Sequence, residues 1–180
     1  RLNAGLAEGR VQVEKLSLTA QGKLGADPFE LSLSAPALHV SPQSAQGEAL
    51  TARVSLDGKR DLDLRVALSG ISGTADKLSV ERLALDGELK EGDRVVRLAS
   101  ASPVQASLPR RKVSLSQLTG QLEIQDPALP AKQMAIPIKG SVRANFEKEH
   151  AVAKLDATIE GGEFSASAEV SQFDEPRIAF

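Results

Sequence analysis

The sequence contains no cysteine, no tryptophan and no tyrosine, and a single methionine among its 180 residues. Without thiols there are no disulfides, no thiolate metal ligands and no cysteine nucleophile, and a reducing or an oxidising compartment suits the chain equally. Five phenylalanines make up the whole aromatic complement. They form no stacking platform of the kind that holds single-stranded nucleic acid. Charge of one sign is missing too: 22 Lys and Arg stand against 24 Asp and Glu, for a formal net charge of -2. That balance gives no general attraction for a polyanion, so nucleic acid is not an expected partner. No apolar run approaches the roughly 20 residues that a membrane-spanning helix requires. The chain opens RLNAGLAEGR, with neither an initiator methionine nor a signal-peptide pattern, as a processed or excised piece of a longer protein would.

What is present is slim and aliphatic. Hydrophobic residues make up 41% of the chain, nearly all Leu, Val, Ile and Ala, enough for one domain over 1–180 with a sizeable core. They alternate with polar residues in RVQVEKLSLTA (10–20), FELSLSAPALHV (29–40), ARVSLDGKRDLDLRVAL (52–68), KLSVERLALDGEL (77–89), RKVSLSQLTGQLEIQ (111–125), AIPIKGSVRANF (135–146) and AVAKLDATIEGGEFSASAEV (151–170). Period two over such lengths is strand patterning, and no segment of helical length keeps a three-or-four spacing. Turn residues fall between the runs at Asp57-Gly58, Lys90 to Asp93, Glu147 to His150 and Gly161-Gly162. Gaps this short join antiparallel neighbours. SGISGTADK (69–77) reads as a longer loop, and PALPAKQ (127–133) as another with room for one helical turn.

With Gly161-Gly162 as a two-residue loop, Ile159 faces Phe164, Ala157 faces Ala166, Leu155 faces Ala168 and Ala153 faces Val170. The other side then sets Lys154 against Glu169. A weak repeat underlies the alternation: similar phrases begin at Leu16, Leu50, Leu83, Leu118 and Leu155, separated by 34, 33, 35 and 37 residues. Each unit is then about one strand pair, which buries its oily face only by joining its neighbours.

The residues of catalytic and metal chemistry are sparse or scattered. His39 and His150 are the only histidines and no HExxH occurs, so neither a metal site nor a cofactor is expected. The serines alternate with Leu or Ala rather than forming a G-x-S-x-G elbow, and the glycines sit at turns rather than in a phosphate-binding loop. Asp57, Asp61 and Asp63 lack the calcium-loop pattern and read as the solubilising charge of a hairpin mouth. An enzyme is not expected. Arg110, Arg111 and Lys112 form the one concentrated basic patch, able to blunt a sheet edge or to contact phosphate-bearing head groups.

Three features together resemble the AsmA-like proteins of Gram-negative bacteria: the recurring openings LSLTAQGKLG and LSQLTGQLEIQ, the stretch PIKGSVRANF (137–146), and the closing phrase LDATIEGGEFSASAEVSQFDEPRIAF (155–180). The resemblance spans most of the chain and is similar to a central segment of such a protein, without the membrane anchor. It implies repeating antiparallel sheets rolled into a long open groove with an aliphatic lining. It further implies a periplasmic location, attachment to the inner membrane through a segment outside this chain, and a part in outer-membrane biogenesis by conducting phospholipid. No catalytic residues come with it.

The expected fold is therefore all-β, an elongated twisted antiparallel sheet of about eleven strands curled into an open groove. The alternative is a closed β-sandwich serving as a structural or adhesive module with no lipid ligand. In the groove reading Val54, Leu56, Leu62, Leu64, Val66 and Leu68 line one part, and Leu155, Ala157, Ile159, Phe164, Ala166 and Ala168 another. An acyl chain of roughly 16 carbons buried there would gain on the order of 10 kcal/mol before ordering costs. Expected partners are phospholipid or another acyl lipid, neighbouring segments of the same polypeptide, and inner- and outer-membrane proteins.

Overall fold

The alternating runs become strands of one sheet. The computed structural model describes residues 2–5, 10–25, 27–159, 161–173 and 177–179. The strands are β1 (Leu2–Gly5), β2 (Arg10–Leu24), β3 (Asp27–Val40), β4 (Ala45–Leu56), β5 (Asp61–Gly73), β6 (Leu78–Glu91), β7 (Arg94–Ser107), β8 (Lys112–Gln125), β9 (Gln133–Asn145), β10 (His150–Ile159), β11 (Gly162–Ser171) and β12 (Arg177–Ala179). Each pairs antiparallel with its neighbours in sequence, in the unbroken order β1 to β12. The sheet does not close, because β1 pairs only with β2 and β12 only with β11. No second sheet faces it among the described residues, so the sandwich alternative does not form.

The open antiparallel sheet of about eleven strands forms as expected, with twelve strands. Other expectations need correction. The alternation passes over β7, because Ser100 and Ser102 stand on its apolar beat. The expected loop at 69–77 is strand as far as Gly73, and only 74–77 turns. The 127–133 region holds no helix. Its backbone instead makes two successive reversals, with Leu129 N–H donating to Asp126 O (3.0 Å) and Lys132 N–H to Leu129 O (2.9 Å). Part of the closing phrase, 174–176 and Phe180, lies outside the described residues.

The last hairpin forms with a register moved by two residues. Gly162 is in the strand opposite Ile159, so Ala157 pairs with Phe164, Leu155 with Ala166, Ala153 with Ala168 and Ala151 with Val170. Lys154 faces Ser167 instead of Glu169, and Glu169 Oε1 accepts the hydrogen bond of His150 Nε2 at 2.8 Å. Gly161, before the strand, holds φ 81°, and Glu160 lies outside the described residues. A two-residue slip leaves every side chain on its expected face, so the pleat cannot discriminate between the registers. Cysteines placed at 155 and 166 are expected to oxidise faster than a pair at 155 and 168, since direct partners lie about 5 Å apart and diagonal ones about 7–8 Å. Faster closure of 155 with 168 would restore the other register.

The hairpin loops at one end of the strands are tied to one another. Ala75 N–H donates to Ser41 O (3.1 Å), Leu108 N–H to Ala75 O (2.9 Å), Phe146 N–H to Arg111 O (2.9 Å) and Gln172 N–H to Glu149 O (3.0 Å). Ala75 folds back onto Val40 and Ala45, leaving all three almost fully buried. This is one of two small buried clusters; the other joins Ile71, Val80 and Val104.

Candidate functional site: an aliphatic sheet face

Register converts the alternation into rows that run across the sheet. One row reads Leu18, Leu33, Ala52, Val66, Leu85, Ser100, Gly120, Ile138, Ala157, Phe164, each paired with the next. A second, nearer the tied loops, runs Leu38, Gly47, Ile71, Val80, Val104, Leu115, Val142, Ala153, Ala168. Between them the repeat leucines fall into register: Leu16 pairs with Ala35, Leu50 with Leu68 and Leu68 with Leu83, while Leu118 pairs with Gly140 and Gly140 with Leu155. The spacing near 35 residues is one hairpin, and its leucines mark one line across every second strand.

Period two alone would not keep these rows on one side. In β3, β4, β5, β6 and β8 the apolar beat breaks from two residues to three, between Ala35 and Leu38, Leu50 and Gly47, Leu68 and Ile71, Leu83 and Val80, and Leu118 and Leu115. Register shifts mark the break between β6 and β7, β7 and β8, and β8 and β9. In β5 the break holds Gly70 at φ 66°, and in β2 Lys15 takes φ 50° at the same level. An extra residue at a bulge turns the following side chains over, so that Ile71 and Val80 pack with Leu68 and Leu83 on one face. In β9 and β10 the alternation runs through unbroken, from Ile136 to Ala144 and from Ile159 to Ala151, which confirms that all rows share that face.

The site residues expected from sequence therefore join. Leu56 pairs with Leu62, Val54 with Leu64, Ala52 with Val66 and Leu50 with Leu68, and Leu155, Ala157, Phe164, Ala166 and Ala168 continue the same rows some six strands away. Ile159 lies at the end of β10 on this face. What sequence reading passed over is the middle: Leu83, Leu85, Leu98, Leu122, Ile136 and Ile138 carry the face between the two groups. Across ten strands no charged side chain enters these rows, and the only hydroxyls are Ser100 and Ser102. The face curls around itself. Ile136 and Ile138 keep only 6% and 8% of their surface exposed with no second layer over them among the described residues, whereas Leu18 and Phe164 toward the two sides keep 54% and 56%.

The opposite face is polar and, near the mouth of the β4–β5 hairpin, internally neutralised. Arg53 grips Asp63 with two hydrogen bonds, Nε to Oδ1 at 2.9 Å and Nη2 to Oδ2 at 2.6 Å. That bond holds the Asp63 carboxyl below its ordinary pKa and raises the Arg53 guanidinium. Glu88 is likewise held low by Lys90 (2.7 Å) and Arg97 (2.6 Å). Asp126, at the far end of β8, is held low first by the Ala128 N–H and then by Arg94. All three carboxylates thus stay ionised through mildly acid pH. Asp61 accepts the Gly58 N–H at 3.1 Å, which ties the hairpin mouth. Among the described residues no group of three or more His, Asp or Glu could hold a metal ion.

In the basic patch Arg110 reaches Asp76 (3.4 Å), Arg111 occupies a turn at φ 48°, and Lys112 opens β8 on the polar face, one residue from the apolar-face Val113. No family model, curated protein or solved structure matches the chain.

Proposed function

We propose that this chain is a lipid-binding segment of an AsmA-like protein, which shelters phospholipid acyl chains on its aliphatic face between the inner and outer membranes. One observation carries the reading: a face ten strands wide, free of charge and half-exposed, with no second layer over it among the described residues. Apolar surface of that extent on a soluble chain calls for a ligand or partner. Acyl chains suit it because the lining offers methyl groups almost everywhere and hydrogen-bond partners almost nowhere. Attraction of that kind is non-directional, so a chain can pass from one row to the next without a large barrier. In the longer polypeptide the single-partnered edges β1 and β12 would extend into neighbouring segments, and the anchor in the inner membrane would come from elsewhere in that protein. The test is native mass spectrometry of freshly purified protein. Phospholipid carried through purification is the expected result, and lipid-free protein from repeated preparations would overturn the proposal.

A further inference from the structure

The polar face carries a second feature that acyl binding leaves unused. Near the tied loops, β6 to β10 and the 74–77 loop border an open hollow of about 930 Å³ whose lining includes Lys77, Lys112, Arg143 and Lys154. The last three lie on adjacent strands along a diagonal. Lys112 stands opposite Asn145, Arg143 lies two residues before Asn145 and opposite Val152, and Lys154 follows two residues after Val152. Diagonal neighbours in antiparallel pairs sit about 7–8 Å apart. Neutral donors fill the spaces between, with Ser114 opposite Arg143 and Ser141 opposite Lys154.

Among the described residues none of the four enters an ion pair, in contrast to Arg53, Lys90 and Arg97 on the same face. Asp76, the one carboxylate of the lining among the described residues, is already taken by the Ser107 hydroxyl (3.0 Å) and Arg110 (3.4 Å). Like charges held together in a concavity focus a positive potential there, on a chain whose net charge is -2. The volume suits a small organic molecule rather than a lone ion, and Arg with Lys and hydroxyl donors between them suits phosphate oxygens.

We propose that this hollow binds a ligand carrying two or more phosphate groups, seated against Lys112, Arg143 and Lys154. The source is either a soluble phosphorylated molecule or a head group with two phosphates, and two arms separate them. In the first, inositol hexakisphosphate is titrated calorimetrically into the 180-residue chain. In the second, phosphatidylcholine vesicles with and without cardiolipin are floated with it. Binding in either arm, weakened by salt and reduced at least about tenfold by Arg143→Glu or Lys154→Glu, supports the site. Lys59→Glu, the same charge change in the distant β4–β5 loop, is expected to leave binding within about twofold. Binding of the soluble probe alone marks a soluble ligand, and flotation on cardiolipin alone marks a head group. Failure of both probes, or equal losses from Lys59→Glu and Arg143→Glu, overturns the proposal, while circular dichroism confirms that each variant remains folded.

Discussion

Leu64→Arg is expected to lower retained phospholipid at least about tenfold while leaving the sheet folded, at a stability cost of about 1–2 kcal/mol. Leu64 stands between Val54 and Gly87 in its row, and its Cδ1 lies where it shields the bare Gly87 backbone, 3.3 Å from the position a Cβ would take there. It is only half-buried, so the new guanidinium can reach water along the open face and the fold survives. An acyl chain crossing that point would have to strip the guanidinium of water, which costs several kcal/mol. The neighbouring residues give the internal control. Photo-crosslinkers at Val54, Leu64, Val66, Leu155 or Ala157 should capture lipid, and those at Arg53, Asp63, Arg65 or Asp156 should not, because adjacent strand residues point to opposite faces. Equal labelling from both sets in folded protein would remove the acyl-binding reading and leave the apolar face to a protein partner.

That parity was legible in the sequence, and so was more of the architecture than the alternation alone suggests. Ala52, Val54 and Leu56, and after the turn Leu62, Leu64, Val66 and Leu68, are apolar in sequence and paired in the sheet, and the repeat leucines predict a hairpin array whose members do come into line. Three features were hidden for distinct physical reasons. β7 carries Ser100 and Ser102 where its neighbour β6 carries Leu85 and Leu83, so hydropathy misses it although hydrogen bonding does not. The three-residue step at Gly70 and its counterparts looks like a loop in one dimension, and only pairing to both neighbours shows it to be a bulge. The hollow draws Lys77, Lys112, Arg143 and Lys154 from sites far apart in the chain. No local spacing encodes it, since the register of β6 to β10 must be known before those cations become neighbours.

Gly73→Ala is expected to cost about 3 kcal/mol, against about 1 kcal/mol for Gly92→Ala, and the comparison isolates why. Both glycines hold positive φ, 106° for Gly73 and 59° for Gly92, a region that L side chains enter only at some cost. Around Gly92 an added Cβ meets nothing within 4 Å, so its variant bears conformational strain alone. At Gly73 the Cβ would run into the Lys77 carbonyl oxygen, which is backbone and cannot swing aside as a side chain does. That oxygen accepts the Thr74 N–H at 3.2 Å and so closes the 74–77 loop. Moving it opens the loop that buries Ala75 against Val40 and Ala45, and strains the bonds from Ala75 to Ser41 and from Leu108 to Ala75. The damage should therefore spread along the tied end of the sheet rather than stay at one turn. Urea unfolding gives the size of the loss, and amide hydrogen exchange gives its location: faster exchange at Ala75 and Leu108 is expected in Gly73→Ala and not in Gly92→Ala. Equal stability losses in the two variants, with Ala75 still protected in both, would mean that the close approach to Lys77 carries no weight and that the tied loops do not act as a unit.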